Sequence, residues 1–194
     1  MFESAVMISI KPTWCDRIFT FKDKNLELRK SYPKALRPPF VAFVYCTARE
    51  YRVTDVIHKG DRLWYDDDIY DGDTPIFIKV PDSPAHMMGH EKKVIGKIIV
   101  DRIYEVDWKD GKSYLDGREM VREDDIHTCV SVKEFKKYQR GGKVYGWHIQ
   151  EAEKFIKDRE LSLFGLKRPP QSWQYLRASD PLDKEETNGP GNDG

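Results

Sequence analysis

Cysteine is scarce in this 194-residue chain, and the three present stand apart. Cys15, Cys46 and Cys129 are odd in number and form no CxxC pair. That argues against a disulfide framework or a zinc knuckle and predicts a reducing compartment. None has the context of a nucleophile, so each is read as a buried or surface thiol. Glycine-rich phosphate loops are missing: there is no GxGxxG and no GxxxxGK[ST]. GxSxG is absent too, which leaves any Ser/His/Asp triad without a sequence signature. No apolar run approaches the ~20 residues that span a bilayer. Met1-Phe2-Glu3-Ser4 lacks the basic start of a secretory leader. No membrane partner is expected, and the expected compartment is the cytoplasm. An excess of either charge is also lacking, with 33 Lys and Arg against 33 Asp and Glu. No global basic field therefore argues for duplex binding.

What is present is charge in blocks. Residues 11–40 carry 8 Lys/Arg against 3 Asp/Glu, and residues 130–177 carry 11 against 5. Between them, residues 55–128 carry 11 against 18. If the two basic blocks meet in space, they make a cationic cleft on a neutral protein; if not, they are solvated faces. The length suits one domain with an insertion, or one domain and a tail.

Residues 7–30 organise the rest. Val6, Ile8 and Ile10 alternate with Met7 and Ser9, as in a half-buried strand. Pro12 suits the first turn of a helix, where its missing N–H is harmless. Trp14, Ile18 and Phe21 give that helix an apolar face. After a polar break at 22–25, Leu26 and Leu28 point to one side of a strand and Glu27 and Arg29 to the other, with Lys24 at its entrance. A proline-rich basic loop covers 31–39. Phe40 to Cys46 is the strongest strand signal and reads as central. The polar, acidic block 49–93 reads as an insertion, with a short strand at Thr74–Val80. Val94 to Val106 is a second long strand, where Gly96 predicts a bulge or a close backbone approach. Asp107 to Gly117 is rich in turns. Ser131 to Arg140 is a helix with a capping box at Ser131 and Glu134, stopped by Gly141-Gly142. Its apolar face is Val132, Phe135 and Tyr138. Tyr145 to Glu151 alternates as a strand, and a final strand follows Lys167–Ser172. The acidic tail 178–194 reads as disordered. Together these features predict an α+β fold: a small mixed β-barrel with short helices packed outside.

Metal sites fail on inspection, and no metal or cofactor is expected. His86 and His90 have i, i+4 spacing, but Gly89 and Pro84 oppose the helix it needs, and no Glu follows His86. The acidic run 66–73 imitates a calcium loop, but Ile69 and Ile78 fall where oxygen ligands belong. Two constellations remain. Lys24, Glu27 and Arg29 read either as surface ion pairs worth ~0–1 kcal/mol each, or as a site for a planar polar ligand. Trp147, His148, Lys167, Arg168, Gln171 and Trp173 interleave aromatics with cations, as single-stranded nucleic acid or a nucleoside requires. Their alternative is that the two tryptophans are core residues.

Ser9-Ile10-Lys11-Pro12, the helix ending at Phe21, and Lys24-Asn25-Leu26-Glu27-Leu28-Arg29-Lys30 together resemble the signature of the ASCH domain, of the PUA-like superfamily. The likeness continues through Phe40–Cys46, Val94–Val106 and Tyr145-Gly146-Trp147-His148-Ile149. Leu166-Lys167-Arg168-Pro169-Pro170-Gln171-Ser172-Trp173 is similar to a segment of phage- and prophage-encoded members. The resemblance spans residues 6–177, with 49–93 as a variable insert. It implies a small β-barrel with a cleft between barrel and helix that binds RNA, nucleotides or modified nucleosides. One branch of the family deacetylates N4-acetylcytidine, and ribonuclease activity is known in the family. In the deacetylating branch a lysine and a threonine three residues later are functional. Lys24 matches the lysine, but Glu27 stands in place of the threonine, and that branch's later glutamate has no match. The family's turn glycine is replaced by Lys22.

Two functions follow as expectations. In a binding module, Lys11, Lys24 and Arg29 meet phosphate or carbonyl oxygens, Glu27 reads an exocyclic amine or orients Arg29, and Trp147 or Trp173 stacks a base. In a hydrolase acting on N4-acylated cytidine or RNA, Lys24 is the base and Glu27 its acid/base partner. A blander reading is an accessory protein whose acidic insert meets a partner.

Overall fold

The computed structural model describes residues 5–48, 89–110, 112–120 and 126–176, with the backbone of four short strands between 51 and 81. Strand β1, Ala5–Ile10, feeds helix α1, Pro12–Phe19. Lys11 is the extended N-cap and Pro12 opens the helix. The buried face of α1 is Cys15, Asp16, Ile18 and Phe19. The predicted face is corrected at Phe21, which is 53% exposed. The helix ends at Phe19, so Phe21 has left the helical period, and the Arg17 guanidinium covers its ring.

Strand β2 is Leu26–Arg29 and β3 is Phe40–Cys46. Residues 49–93 include β4 (Tyr51–Thr54), β5 (Val56–Lys59), β6 (Arg62–Tyr65) and β7 (Ile78–Pro81). There β4 pairs with β7 and β5 with β6, both antiparallel and apart from the main sheet. Residues 66–73, His86 and the tail 178–194 lie outside the described residues. The chain then forms β8 (Lys93–Lys109), β9 (Lys112–Leu115) and β10 (Arg118–Glu119). Helix α2 is Val132–Gln139, β11 is Val144–Arg159, a 3-10 turn covers Leu161–Phe164, and β12 is Trp173–Leu176.

Eight strands make one mixed, mostly antiparallel sheet. Its main path runs β12-β1-β3-β8-β11-β2, with β1 and β3 parallel and the other neighbours antiparallel. β9 and β10 extend it from the far half of β8. The predicted barrel does not close: among the described residues no ladder joins β2 to β1 or β12. The sheet nonetheless curls, because side chains cross the gap. Just past the start of β12, the Ser9 carbonyl accepts from Arg29 Nη2 of β2 at 2.7 Å. Ser31 O accepts from the indoles of both Trp147 in β11 and Trp173 in β12, at 3.3 and 3.2 Å.

β1 is buried on both faces, not one. Val6, Ile8 and Ile10 join Cys15, Ile18 and Trp147 in one cluster, while Ala5 and Met7 join Phe43, Phe164 and Leu176 in another. Gly96 marks a close approach: an added Cβ would lie 2.4 Å from Glu153 O and 2.8 Å from the Phe19 ring. No helix among the described residues is long and apolar enough to cross a membrane.

Candidate functional site

β2 pairs with β11 along one edge, and its other edge is bordered by non-strand segments. Leu26 and Leu28 turn inward to a cluster with Val106, Leu115, Phe135 and Val144. Alternation then places Glu27 and Arg29 on the opposite face. There, with Lys24, they line a cavity of about 560 Å³. Its other walls are Ser9 of β1, Lys11 and Trp14 at the start of α1, and Val130, Glu134, Lys137, Tyr138 and Arg140 around α2. Both basic blocks contribute, the first Lys11, Lys24, Arg29 and Lys30, the second Lys137 and Arg140. The sequence reading missed the share of α2, although the charge of the second block signalled it.

The charged triplet is not a set of surface pairs. Lys24, Glu27 and Arg29 are 3, 5 and 8% exposed. Glu27 sits between the cations, Oε2 at 3.3 Å from Lys24 Nζ and Oε1 at 2.9 Å from Arg29 Nη2. Lys24 Nζ also donates to Leu26 O and Thr128 O, both at 2.7 Å, and lies over the Trp14 ring. Its three N–H donors are thus directed at three protein acceptors. Arg29 differs. Nη2 is engaged, buried Nε has no acceptor, Nη1 takes no protein acceptor among the described residues, and the side chain lines the cavity.

The strap 126–130 forms the wall beside β2. His127 O accepts from the N–H groups of Asn25 and Leu26, and Asn25 Oδ1 accepts from His127 N. Cys129 has φ 56° and its thiol donates to Asp23 O at 3.2 Å. Burial, then the Asp23 carboxylate, pushes that thiol's pKa up, so it is a poor nucleophile. Burial raises the Cys15 thiol further. Beyond the strap, α2 begins with the expected capping box: Ser131 N donates to Glu134 Oε2 at 2.9 Å and Glu134 N to Ser131 Oγ at 3.3 Å. The Ser131 hydroxyl and its N–H hold the Glu134 carboxyl below its ordinary pKa. Glu134 Oε2 is therefore held by its own helix cap. Lys30 Nζ donates to Gln139 O and covers the Tyr138 ring.

The second constellation does not converge on this cavity. Trp147 is wholly buried between Phe40 and Trp173, so no ring face is open to a base. It is a core residue because its position on β11 faces the interior of the curled sheet. His148 Nδ1 contacts Asp101 Oδ1 at 2.6 Å on the other face of β11. Trp173 packs on Trp147 and Tyr175 and bonds to Ser31, while Lys167, Arg168 and Gln171 are not among the cavity's walls. Ser9 Oγ donates to Pro170 O and Ser9 N to Ser172 O, so this closing segment docks on β1. His90 contacts Asp158, and no cluster of three metal-ligating side chains occurs among the described residues.

No family model and no curated protein sequence matches the chain. Solved structures do. The crystal structure of ASCH from Zymomonas mobilis superposes with a TM-score of 0.53 at 17% identity, covering 91% of this chain and 90% of that one. A serine-to-alanine mutant of the same protein gives 0.50 at 18% identity, covering 91% of each. The likeness is one of fold. This chain is similar in architecture to the Zymomonas ASCH protein: a large, mostly antiparallel sheet with two helices.

Proposed function

We propose that the cavity beside β2 is a cationic cleft that binds RNA, single-stranded nucleic acid or a modified nucleoside, and that the chain is an ASCH-type, PUA-like module. One observation carries this reading. Lys11, Lys24, Arg29, Lys30, Lys137 and Arg140 face Glu27 and Glu134 across a single cavity in a chain of zero formal net charge. Glu27 orients Arg29, because both its oxygens are already engaged. Arg29 Nη1 then offers N–H donors to a phosphate or carbonyl oxygen. The module is taken to span 1–177 with 49–93 inserted, and to work in the cytoplasm. The closing segment supports kinship with phage- and prophage-encoded members.

The hydrolase reading, on N4-acylated cytidine or RNA, stands second. A base needs a lone pair, and Lys24 directs all its donors at protein acceptors. Fluorescence anisotropy with labelled single-stranded RNA tests the first reading. Affinity should fall as salt rises and drop in Arg29→Gln. Absence of binding to any RNA, single-stranded DNA or nucleoside at low salt removes it. Acetylcytidine turnover that vanishes in Lys24→Ala reverses the order of the two readings.

A further inference from the structure

The cavity's charge exceeds what a nucleoside or an uncharged base edge requires. Of its two carboxylates, Glu27 is shared by Lys24 and Arg29, and Glu134 is held in its helix cap. Six cations line the cavity against these two carboxylates, and the surplus extends to the end of α2. There Lys137 and Arg140 line the cavity with no anionic partner among the described residues. Arg29 lines the same cavity; its Nη1 has no protein acceptor among the described residues and its buried Nε is unsatisfied. Uncompensated cations around a partly enclosed space favour a ligand that brings its own negative charge. Size narrows the class further. At about 560 Å³ the cavity falls within the ~300–1,000 Å³ of small-ligand pockets. A groove that tracks a single strand holds roughly 4–16 nucleotides. This one has room for a nucleotide or two.

We infer that the cleft takes one nucleoside phosphomonoester, as a free nucleotide or as the phosphorylated end of a strand, with the phosphate between Arg29 and the pair Lys137 and Arg140. The inference rests on the nucleic-acid reading above and narrows it. A phosphomonoester carries about −1.5 to −2 charges near neutrality. An internal phosphodiester carries one and a nucleoside none, so the terminal group matches the surplus best. Trp14 and Tyr138 supply the aromatic walls for the nucleoside portion.

Calorimetric titration of the full chain with each common ribonucleoside and with its 5′-monophosphate tests this. The monophosphates should bind at least about tenfold tighter, since charge-assisted hydrogen bonds exceed neutral ones. The double variant Lys137→Gln/Arg140→Asn should remove that difference by lowering monophosphate affinity toward the nucleoside's. Asparagine is chosen because Arg140 caps α2 at φ 42°, a left-handed conformation asparagine tolerates. Circular dichroism of the variant should overlay the parent. Equal affinity for nucleosides and monophosphates overturns this inference and leaves the nucleic-acid reading standing. Failure of every nucleoside, nucleotide and oligonucleotide to bind overturns both. A 5′-phosphorylated trinucleotide that binds as tightly as the monophosphate, while its 5′-hydroxyl form does not, identifies a strand terminus. Tight binding of the monophosphate alone identifies a free nucleotide.

Discussion

The β2 triplet and the Trp147–Trp173 clasp both read in the sequence as candidate ligand-binding residues. In the fold they do opposite things. Trp147 and Trp173 pack on each other and donate to one carbonyl, Ser31 O. Burial of an aromatic ring is favourable in itself, so their position requires no further purpose. Lys24, Glu27 and Arg29 are as deeply placed, yet burying three charges is unfavourable unless each is paired. Their pairing is complete for Lys24 and Glu27 and incomplete for Arg29, whose Nε is unsatisfied. The proposed binding cleft rests on this incompletely paired buried cation beside a cavity.

Substitutions separate these two regions. Glu27→Ala should have the largest effect. It leaves two buried cations without their shared anion, at about 3–5 kcal/mol of stability. The urea midpoint should fall accordingly, and a change below 1 kcal/mol would show that water already reaches the pair. Trp173→Phe should lose about 1 kcal/mol, the net worth of one hydrogen bond, because Ser31 O keeps the Trp147 donor. Nucleic-acid affinity of the folded variant should not move; if it falls, the clasp belongs to the binding surface after all.

Ser131→Ala should lose a similar ~1 kcal/mol by removing the cap of α2. Here the sign of the pH dependence is an additional check. The Glu134 carboxyl is held below its ordinary value, so its contribution is present above the usual carboxylate range. It is lost as pH falls through the lowered native value. The parent should therefore weaken in acid more steeply than Ser131→Ala. Smallest is Lys22→Gly. Lys22 has φ 56°, a region costing a residue with a side chain about 1–2 kcal/mol. Glycine relieves that but adds roughly 0.5–1 kcal/mol of backbone entropy. A net gain of about 0.5 kcal/mol should appear as a slightly raised Tm, with affinity unchanged because Lys22 does not line the cavity.

Legibility in the sequence followed the strength of local signals. β3 was readable to the residue because seven apolar residues in a row leave no alternative. The capping box and the close approach at Gly96 were equally plain, since each has a local chemical cause. The left-handed turn at Lys22, where the resembling family has glycine, fits the same logic. By contrast, β11 runs through Arg159, well past Glu151, because its second half is charged and interrupted by register shifts. β9 was hidden by the turns that flank it, where Asp110, Asp116 and Gly117 have positive φ. Trp147 was misplaced because alternation shows that a residue faces one side of a strand, not whether that side is covered. At the site, spacing put Glu27 and Arg29 on one face. Only the tertiary structure brought α2 over them, joining residues more than a hundred positions apart.

Closure by side chains has a consequence of its own. A backbone ladder repeats every two residues, so a slipped strand can pair again in a neighbouring register. One guanidinium reaching the Ser9 carbonyl and two indoles sharing Ser31 have no second solution. The gap in the sheet thus works as a key. Only one alignment of β2 against β1 fits it, and that alignment puts Arg29 at the cavity wall.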